Sequence, residues 1–298
     1  MKNTVKNIFP EKIRCVAVTA PAGRPVPEKL TEAIKILSGM VKVKNFIAGF
    51  SDHTPSYLAA AAADRVNMFN AAISDPEVDL ILAVRGGFGS VHILPEIDYA
   101  ALKKRNLPVM GYSDITALHC AMLAKHAGIP IAGSNLLQIS EVLNDELSLT
   151  SHALALQNDP PESQLPVINL EAVKRKTENI TVKAPAYAAN LTVLSSLCGT
   201  EFMPDFSNYI LIIEDVNEPL YKLDRMFEQL RLNGIFNNLS ALVFGKYSGV
   251  ENHADELNKL FEQLAEKLKI PCFKNFVFGH EFPMYAVNSS HIMTIKND

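Results

Sequence analysis

Hydrophobic positions in the first half of the chain fall into two alternating textures. Short apolar runs occur in "RCVAVTAPAG" (14–23), "DLILAVRGGFG" (79–89), "LPVMGYSD" (107–114) and "IPIAGS" (129–134), and "VKVKNFIAG" (41–49) is a further candidate strand. Gly or Pro stops most of them, and the consecutive rather than alternating apolar residues of 79–89, a design repeated at 107–114, predict strands buried on both faces. Between them lie segments with helical spacing. "VPEKLTEAIKILSGM" (26–40) places Leu30, Ile34 and Leu37 on one face, "SYLAAAAADRVNMFNAAISD" (56–75) is rich in helix formers, and "ITALHCAMLAKHAG" closes at Gly128. Strands alternating with such helices predict a parallel sheet covered by helices.

The texture changes at 158–183. "NDPPESQLPVINLEAVKRKTENITVK" is polar, carries Pro160-Pro161 and shows no helical period, which predicts an irregular crossing segment. Beyond it, "AYAANLTVLSSLCGT" (186–200) reads as an apolar helix ending at Gly199, and "NYILIIEDV" (208–216) as a buried strand. "LDRMFEQLRLNGIF" and "ADELNKLFEQLAEKLK" are amphipathic helices, "LSALVFGKY" is a strand, and "IPCFKNFVFGHE" leads to one more strand end at His280. The expected architecture is α/β. An N-terminal domain over 1–157 has a parallel sheet, the crossing segment spans 158–183, and a C-terminal domain covers 184–298.

At 298 residues, with 48% hydrophobic and 20% charged positions, the chain has the composition of a soluble globular protein. A net charge of −4 supplies no basic field for a nucleic acid. The N-terminus lacks a secretory h-region and no run is long enough to span a membrane, so a cytoplasmic location is expected. Four scattered cysteines make neither a zinc pattern nor a disulfide framework, and no two histidines have ligand spacing, so neither metal nor cofactor is expected.

Four stretches could carry chemistry. "AVRGGFGS" (83–90) turns tightly after a buried strand, and its backbone N–H groups suit an anion or an oxyanion, although it matches neither phosphate-loop motif. "GYSDI" is half of a G-x-S-x-G nucleophile elbow, with Ile115 in place of the second glycine, so Ser113 is either a nucleophile or a helix cap. Glu214 emerges at the end of an apolar strand, where it is either solvated or held in a site. His280 follows an apolar run and a glycine, as a general base would. His119 and His126 lie on the helix after Ser113, and His53, His92, His152, His253 and His291 sit in loop or helix-end contexts. The chain order Ser, Glu, His is one of several that build a triad.

"AVRGGFGS", "GYSDITALH", "ANLTVLSSLCGT", "IIEDVNEPLYKLDRMFEQL" and "FGH" together resemble the LD-carboxypeptidases, through nearly the whole chain. The resemblance implies a smaller α/β C-terminal domain with a mixed sheet and an active site in the cleft between the two domains, with Ser113 as nucleophile, His280 as base and Glu214 as the carboxylate that orients it. It implies an oxyanion hole from the N–H groups of Gly87 and Asp114, with Arg85 and Asn190 contacting substrate. The implied substrate is a muropeptide whose terminal D-Ala is released by a cofactor-free homodimer during cytoplasmic peptidoglycan recycling. Two stretches depart from the family pattern. "AANL" (188–191) replaces the frequent GGNL, and "GHEFPMYAVNSSH" lacks the frequent Leu-Pro-x-Gly turn. Alternatives are a microcin C self-immunity type hydrolase of aminoacyl-nucleotides, made less natural by the absence of Trp, a non-catalytic muropeptide- or nucleotide-binding protein, and a nucleotide-dependent α/β enzyme.

Overall fold

The computed structural model describes residues 7–49, 54–157, 159–173 and 179–297. His53 and parts of the 158–183 segment lie outside the described residues. In chain order the first unit contains β1 (Cys15–Thr19), α1 (Pro27–Ser38), β2 (Lys42–Phe46), α2 (Ala62–Ser74), β3 (Leu80–Ala83), α3 (Tyr99–Arg105), β4 (Pro108–Gly111), α4 (Ile115–Ala124), β5 (Ile129–Ala132), α5 (Ile139–Asn144) and α6 (Glu146–Ala155). Strands β1 to β5 are all parallel, ordered β5-β4-β3-β1-β2. Their consecutive apolar residues divide between two faces, as the pleat requires. Val16, Val18, Leu80, Leu82 and Met110 pack with Leu30, Ala33 and Leu37 of α1 and with Ile139 and Val142 of α5. Ala17, Ile81, Ala83 and Val109 pack with α2, α3 and α4 on the other side.

The second unit follows with β6 (Val167–Ala172), β7 (Thr181–Asn190), α7 (Leu191–Ser196), β8 (Ile210–Val216), α8 (Leu220–Leu232), β9 (Ala241–Ser248), α9 (Ala254–Leu268), β10 (Cys272–Lys274), β11 (Val287–Asn288) and β12 (Ile292–Asn297). Six of these strands close into a barrel of order β10-β6-β12-β7-β8-β9, mixing parallel and antiparallel pairs. The remaining one, β11, leaves the barrel and pairs antiparallel with β5 at the edge of the first sheet.

Three expectations are corrected here. The 158–183 segment is not irregular throughout: β6 lies within it, with Ile168 and Leu170 turned towards the barrel interior, and β7 starts at Thr181. The stretch 186–200 is not one helix. Residues 186–190 finish β7, sending Ala186 and Ala188 into the barrel and Tyr187 and Ala189 to the outer core. Alanine's high helix propensity gives way to this tertiary packing. Helix α7 starts only at Leu191, where Asn190 Oδ1 caps it by accepting from the Val193 N–H at 3.0 Å. Finally, His280 does not end a strand. It lies six residues past β10, in a loop that the Tyr285 N–H closes onto the Val277 carbonyl at 2.7 Å.

The two units share one core. Tyr187, Leu191 and Leu194 of the barrel unit belong to the same buried cluster as Ile115, Leu118 and Cys120 of α4. Residues at the C-terminal ends of β3, β4 and β5 are thereby fixed opposite those at the ends of β7 and β8, in the position where open parallel sheets present their sites.

Candidate active site

Ser113 sits between β4 and α4 with φ of +63°. A left-handed conformation at a non-glycine residue costs of order 1–3 kcal/mol, and such strain collects at functional turns. Its side chain does not cap α4: the helix has Asp114 at its N-cap position and no side-chain cap. Ser113 Oγ instead lies 3.0 Å from His280 Nε2. His280 Nδ1 lies 2.8 Å from Glu214 Oε2, and Glu214 is completely buried at the end of β8. The residues singled out in three separate stretches therefore form one hydrogen-bonded chain. A carboxylate at Nδ1 places the imidazole proton there and leaves Nε2 free to accept from the serine hydroxyl.

Burial alone would lower the His280 pKa, but the hydrogen bond and charge of Glu214 outweigh it and raise the imidazole above its ordinary value. Burial pushes Glu214 upward in turn, opposed by its bonds to His280 and Asn190. Asn190 spends its Nδ2 on Glu214 Oε1 at 3.0 Å and on Asp215 Oδ1 at 3.3 Å, while its backbone N–H reaches Thr116 Oγ1. It therefore stands behind the carboxylate, away from the cleft wall where a substrate contact was expected. Asp215 is held in turn by the N–H and hydroxyl of Thr192.

The glycine turn closes over the serine. Gly87 has φ of +103° and Gly89 +116°, conformations that side chains rarely adopt. Gly86 packs against the nucleophile turn itself: a Cβ there would stand 2.8 Å from Ser113 Cβ, 3.0 Å from Ser113 Oγ and 3.2 Å from the Asp114 nitrogen. The Ser90 N–H donates to Asp114 Oδ2 at 2.8 Å and the Ser90 hydroxyl to the Asp114 carbonyl at 2.6 Å, which ties the glycine turn to the start of α4. Among the described residues, no hydrogen-bond acceptor engages the N–H groups of Gly87 or Asp114. The positive end of α4 adds to their donor character at this place.

The open cleft holds about 350 Å³ and is lined by Arg85, Gly86, Tyr112, Ser113, Gln138 and His280, among others. Arg85 Nη1 donates to the Arg24 carbonyl at 3.0 Å, which steadies its guanidinium at the cleft. The Tyr112 ring packs 5.0 Å from the His280 ring, and its hydroxyl accepts from Gln138 Nε2 at 2.9 Å. Gly86, Ser90, Tyr112 and Thr116 belong to the site without having been singled out in the sequence. All four lie inside the quoted stretches "AVRGGFGS" and "GYSDITALH", and Asp215 adjoins Glu214 in "IIEDV", but nothing local shows which groups Thr116 and Asp215 meet. A hydroxyl bonded to an imidazole and a buried carboxylate, beside free N–H groups, has the parts for nucleophilic acyl transfer.

This fold coincides with a known class. Residues 16–133 match the LD-carboxypeptidase N-terminal domain and residues 183–295 the LD-carboxypeptidase C-terminal domain. The chain belongs to the LD-carboxypeptidase family, a family of peptidases. It is 30% identical to the Bacillus subtilis (strain 168) "Probable murein peptide carboxypeptidase", over 91% of this chain and 85% of that protein. It is 25% identical to the Escherichia coli microcin C7 self-immunity protein MccF, over 90% of this chain and 86% of the relative. Among solved structures, muramoyltetrapeptide carboxypeptidase from Oxalobacter formigenes superposes with a TM-score of 0.79 at 25% identity, covering 93% of each chain. MccF in complex with glutamyl sulfamoyl guanosine shares the fold, with a TM-score of 0.78 at 18% identity over 97% of this chain and 95% of that one. Among the described residues, no helix is long and apolar enough to cross a membrane.

Proposed function

We propose that the protein is a serine-type LD-carboxypeptidase that releases terminal D-Ala from murein tetrapeptides. The observation that carries this reading is the continuous Ser113–His280–Glu214 hydrogen-bond chain at the floor of the cleft. In the proposed cycle His280 Nε2 takes the Ser113 proton as Oγ attacks the carbonyl of the L,D-peptide bond. The N–H groups of Gly87 and Asp114 receive the oxyanion, and Glu214 stabilises the imidazolium. Protonated His280 then hands its proton to the amine of the departing D-Ala. Water, deprotonated by the same imidazole, releases the acyl group and regenerates Ser113. Arg85 offers a fork-shaped donor to the carboxylate of the departing residue. The reading carries with it a cytoplasmic role in peptidoglycan recycling and a homodimeric enzyme, both resting on the family resemblance.

The test is release of D-Ala from a muramyl tetrapeptide by the natural protein, by Ser113→Ala and with an all-L control peptide. Removing the nucleophile of such a triad costs about 10⁴-fold or more in kcat. Release that depends on Ser113 and on the D-configured terminus supports the reading. Equal release by Ser113→Ala removes the serine mechanism. Folded protein inactive on every tetrapeptide removes the cell-wall substrate and favours the aminoacyl-nucleotide chemistry suggested by the MccF relationship.

A further inference from the structure

Arg65 is a buried charge that the proposed cycle does not use. It lies in the first turn of α2 and is only 2% exposed. Its guanidinium is spent on the backbone: Nε donates to the Ala60 carbonyl at 3.0 Å, and Nη1 donates to both the Pro21 carbonyl at 2.6 Å and the Gly89 carbonyl at 2.7 Å. Nη2 lies 3.4 Å from His92 Nδ1. Among the described residues these partners include no carboxylate. A buried guanidinium is costly when no opposite charge is bonded to it, and arginine does not shed its proton to escape that cost. Burial lowers its pKa, opposed by the charge of Asp114, whose Oδ2 the Ser90 N–H holds.

The contacts fall on the backbone that carries the glycine turn. Pro21 belongs to the loop after β1 and Gly89 to the turn after β3, so a single nitrogen ties two loops together. The same loops meet again where the Gly23 N–H donates to the Gly86 carbonyl at 3.0 Å. The turn is thus fastened at both ends, with the Gly87 N–H between. A Cβ on Gly89, at φ +116°, would stand 3.2 Å from Arg65 Nη1, so the missing side chain is what lets the guanidinium reach the turn.

We propose that Arg65 is a positioning residue of the oxyanion hole: it fixes the Pro21 and Gly89 carbonyls so that the Gly87 N–H stays aimed at the oxyanion, and its buried charge adds stabilisation as negative charge develops there. The inference rests on the serine acyl-transfer part of the proposed function and requires nothing of the substrate's identity. Because the effect grows with the charge on the reacting oxygen, it belongs to turnover and not to substrate binding.

The experiment compares the natural protein with Arg65→Met and Arg65→Lys, each melted to establish that it folds. One assay is D-Ala release from a muramyl tetrapeptide. The other is phosphonylation by a fluorophosphonate, in which Ser113 Oγ bonds to phosphorus, fluoride leaves, the hydroxyl proton passes to His280 and the phosphoryl oxygen occupies the oxyanion hole. Arg65→Met is expected to lose about 10²-fold in kcat and in labelling rate with KM unchanged, and Arg65→Lys, which keeps the charge without the fork, about tenfold. Tetrapeptide affinity, titrated calorimetrically in the Ser113→Ala background, should be the same with and without Arg65→Met. Either folded Arg65 variant with kcat and labelling within about threefold of the natural protein overturns the proposal, as does a loss of tetrapeptide affinity as large as the loss of kcat. Where Arg65→Met does not fold, Arg65→Lys decides by the same criterion. A natural protein that is neither active nor labelled removes the serine site and the proposal together. Labelling that depends on Arg65, in a protein that releases no D-Ala, retires the carboxypeptidase reading and leaves the role of Arg65 standing.

Discussion

Replacing Gly86 by alanine places one methyl group at the centre of the site. The new Cβ would lie 2.8 Å from Ser113 Cβ, 3.0 Å from its Oγ and 3.2 Å from the Asp114 nitrogen. Ordinary contact begins at 3.4 Å, so the serine turn or the glycine turn has to yield by about 0.6 Å. A displacement of about 1 Å in a catalytic constellation lowers turnover by about 10²-fold. Losing one oxyanion donor costs about 10²–10³ in kcat. The methyl stands where both effects arise, so kcat should fall by about 10²–10³. Stability should fall by between about 0 and about 2.6 kcal/mol. The clash costs about 1–3 kcal/mol, partly offset by about 0.4–1 kcal/mol from the stiffer unfolded chain. The assay pairs steady-state D-Ala release with a thermal melt, so that loss of turnover is separated from loss of fold. A Gly86→Ala protein that melts like the natural one and keeps kcat within about threefold would refute the placement of the oxyanion beside Gly86.

Glu214→Gln should move the acid limb of kcat/KM to lower pH while reducing kcat: His280 must be neutral to accept a proton, Glu214 raises its pKa, and the amide removes that support. A limb that stays put or moves upward contradicts the pairing. Lys246 Nζ donates to the carbonyls of Glu281 and Pro283 at 2.9 and 2.8 Å, holding the loop that presents His280. Lys246→Met should therefore lower kcat by about tenfold with KM unchanged, and Lys246→Arg should restore part of it; a lower melting temperature with full kcat would make the contact merely structural. His119 and His152 are fully buried, and burial lowers their pKa from 6.5 to about 3 and about 4. The unfolded chain binds these protons as pH falls below 6.5 and the folded one does not, so stability should decline between about pH 6.5 and pH 4. Melts that stay flat across that window would argue against neutral buried imidazoles.

The first sheet was legible because all its strands but β2 are short, apolar on consecutive positions and closely followed by glycine or proline, and because α1 and α4 carry their own boundaries. The barrel was not. Closure is set by pairings such as Thr294 with Val167 and Ile292 with Pro185, between strands far apart in sequence, and no local pattern encodes them. Ala186, Ala188 and Ala189 of β7 favour a helix by intrinsic propensity and become a strand because they pair with β8 in continuation of the part of β7 that pairs with β12. Ser113, Glu214 and His280 stood out as polar residues after apolar runs, a signal that survives any arrangement of the rest. Asn190 was visible too, yet its place behind Glu214 depends on the β7–β8 register, which pairs the two residues directly. The Ser90 and Thr116 contacts depend on where two turns meet, and the sequence holds no trace of that meeting.

The return of β11 to the edge of β5 has a consequence for synthesis. A nascent chain that has completed the first parallel sheet has Ser113 in place but lacks both His280 and the strand that covers β5. Until residues 280–288 emerge and dock, the serine has no proton acceptor, and the uncovered strand is open to pairing with another chain. Edge protection and the imidazole that meets Ser113 thus arrive on the same short piece of polypeptide, so a chain cut before residue 280 would lack both.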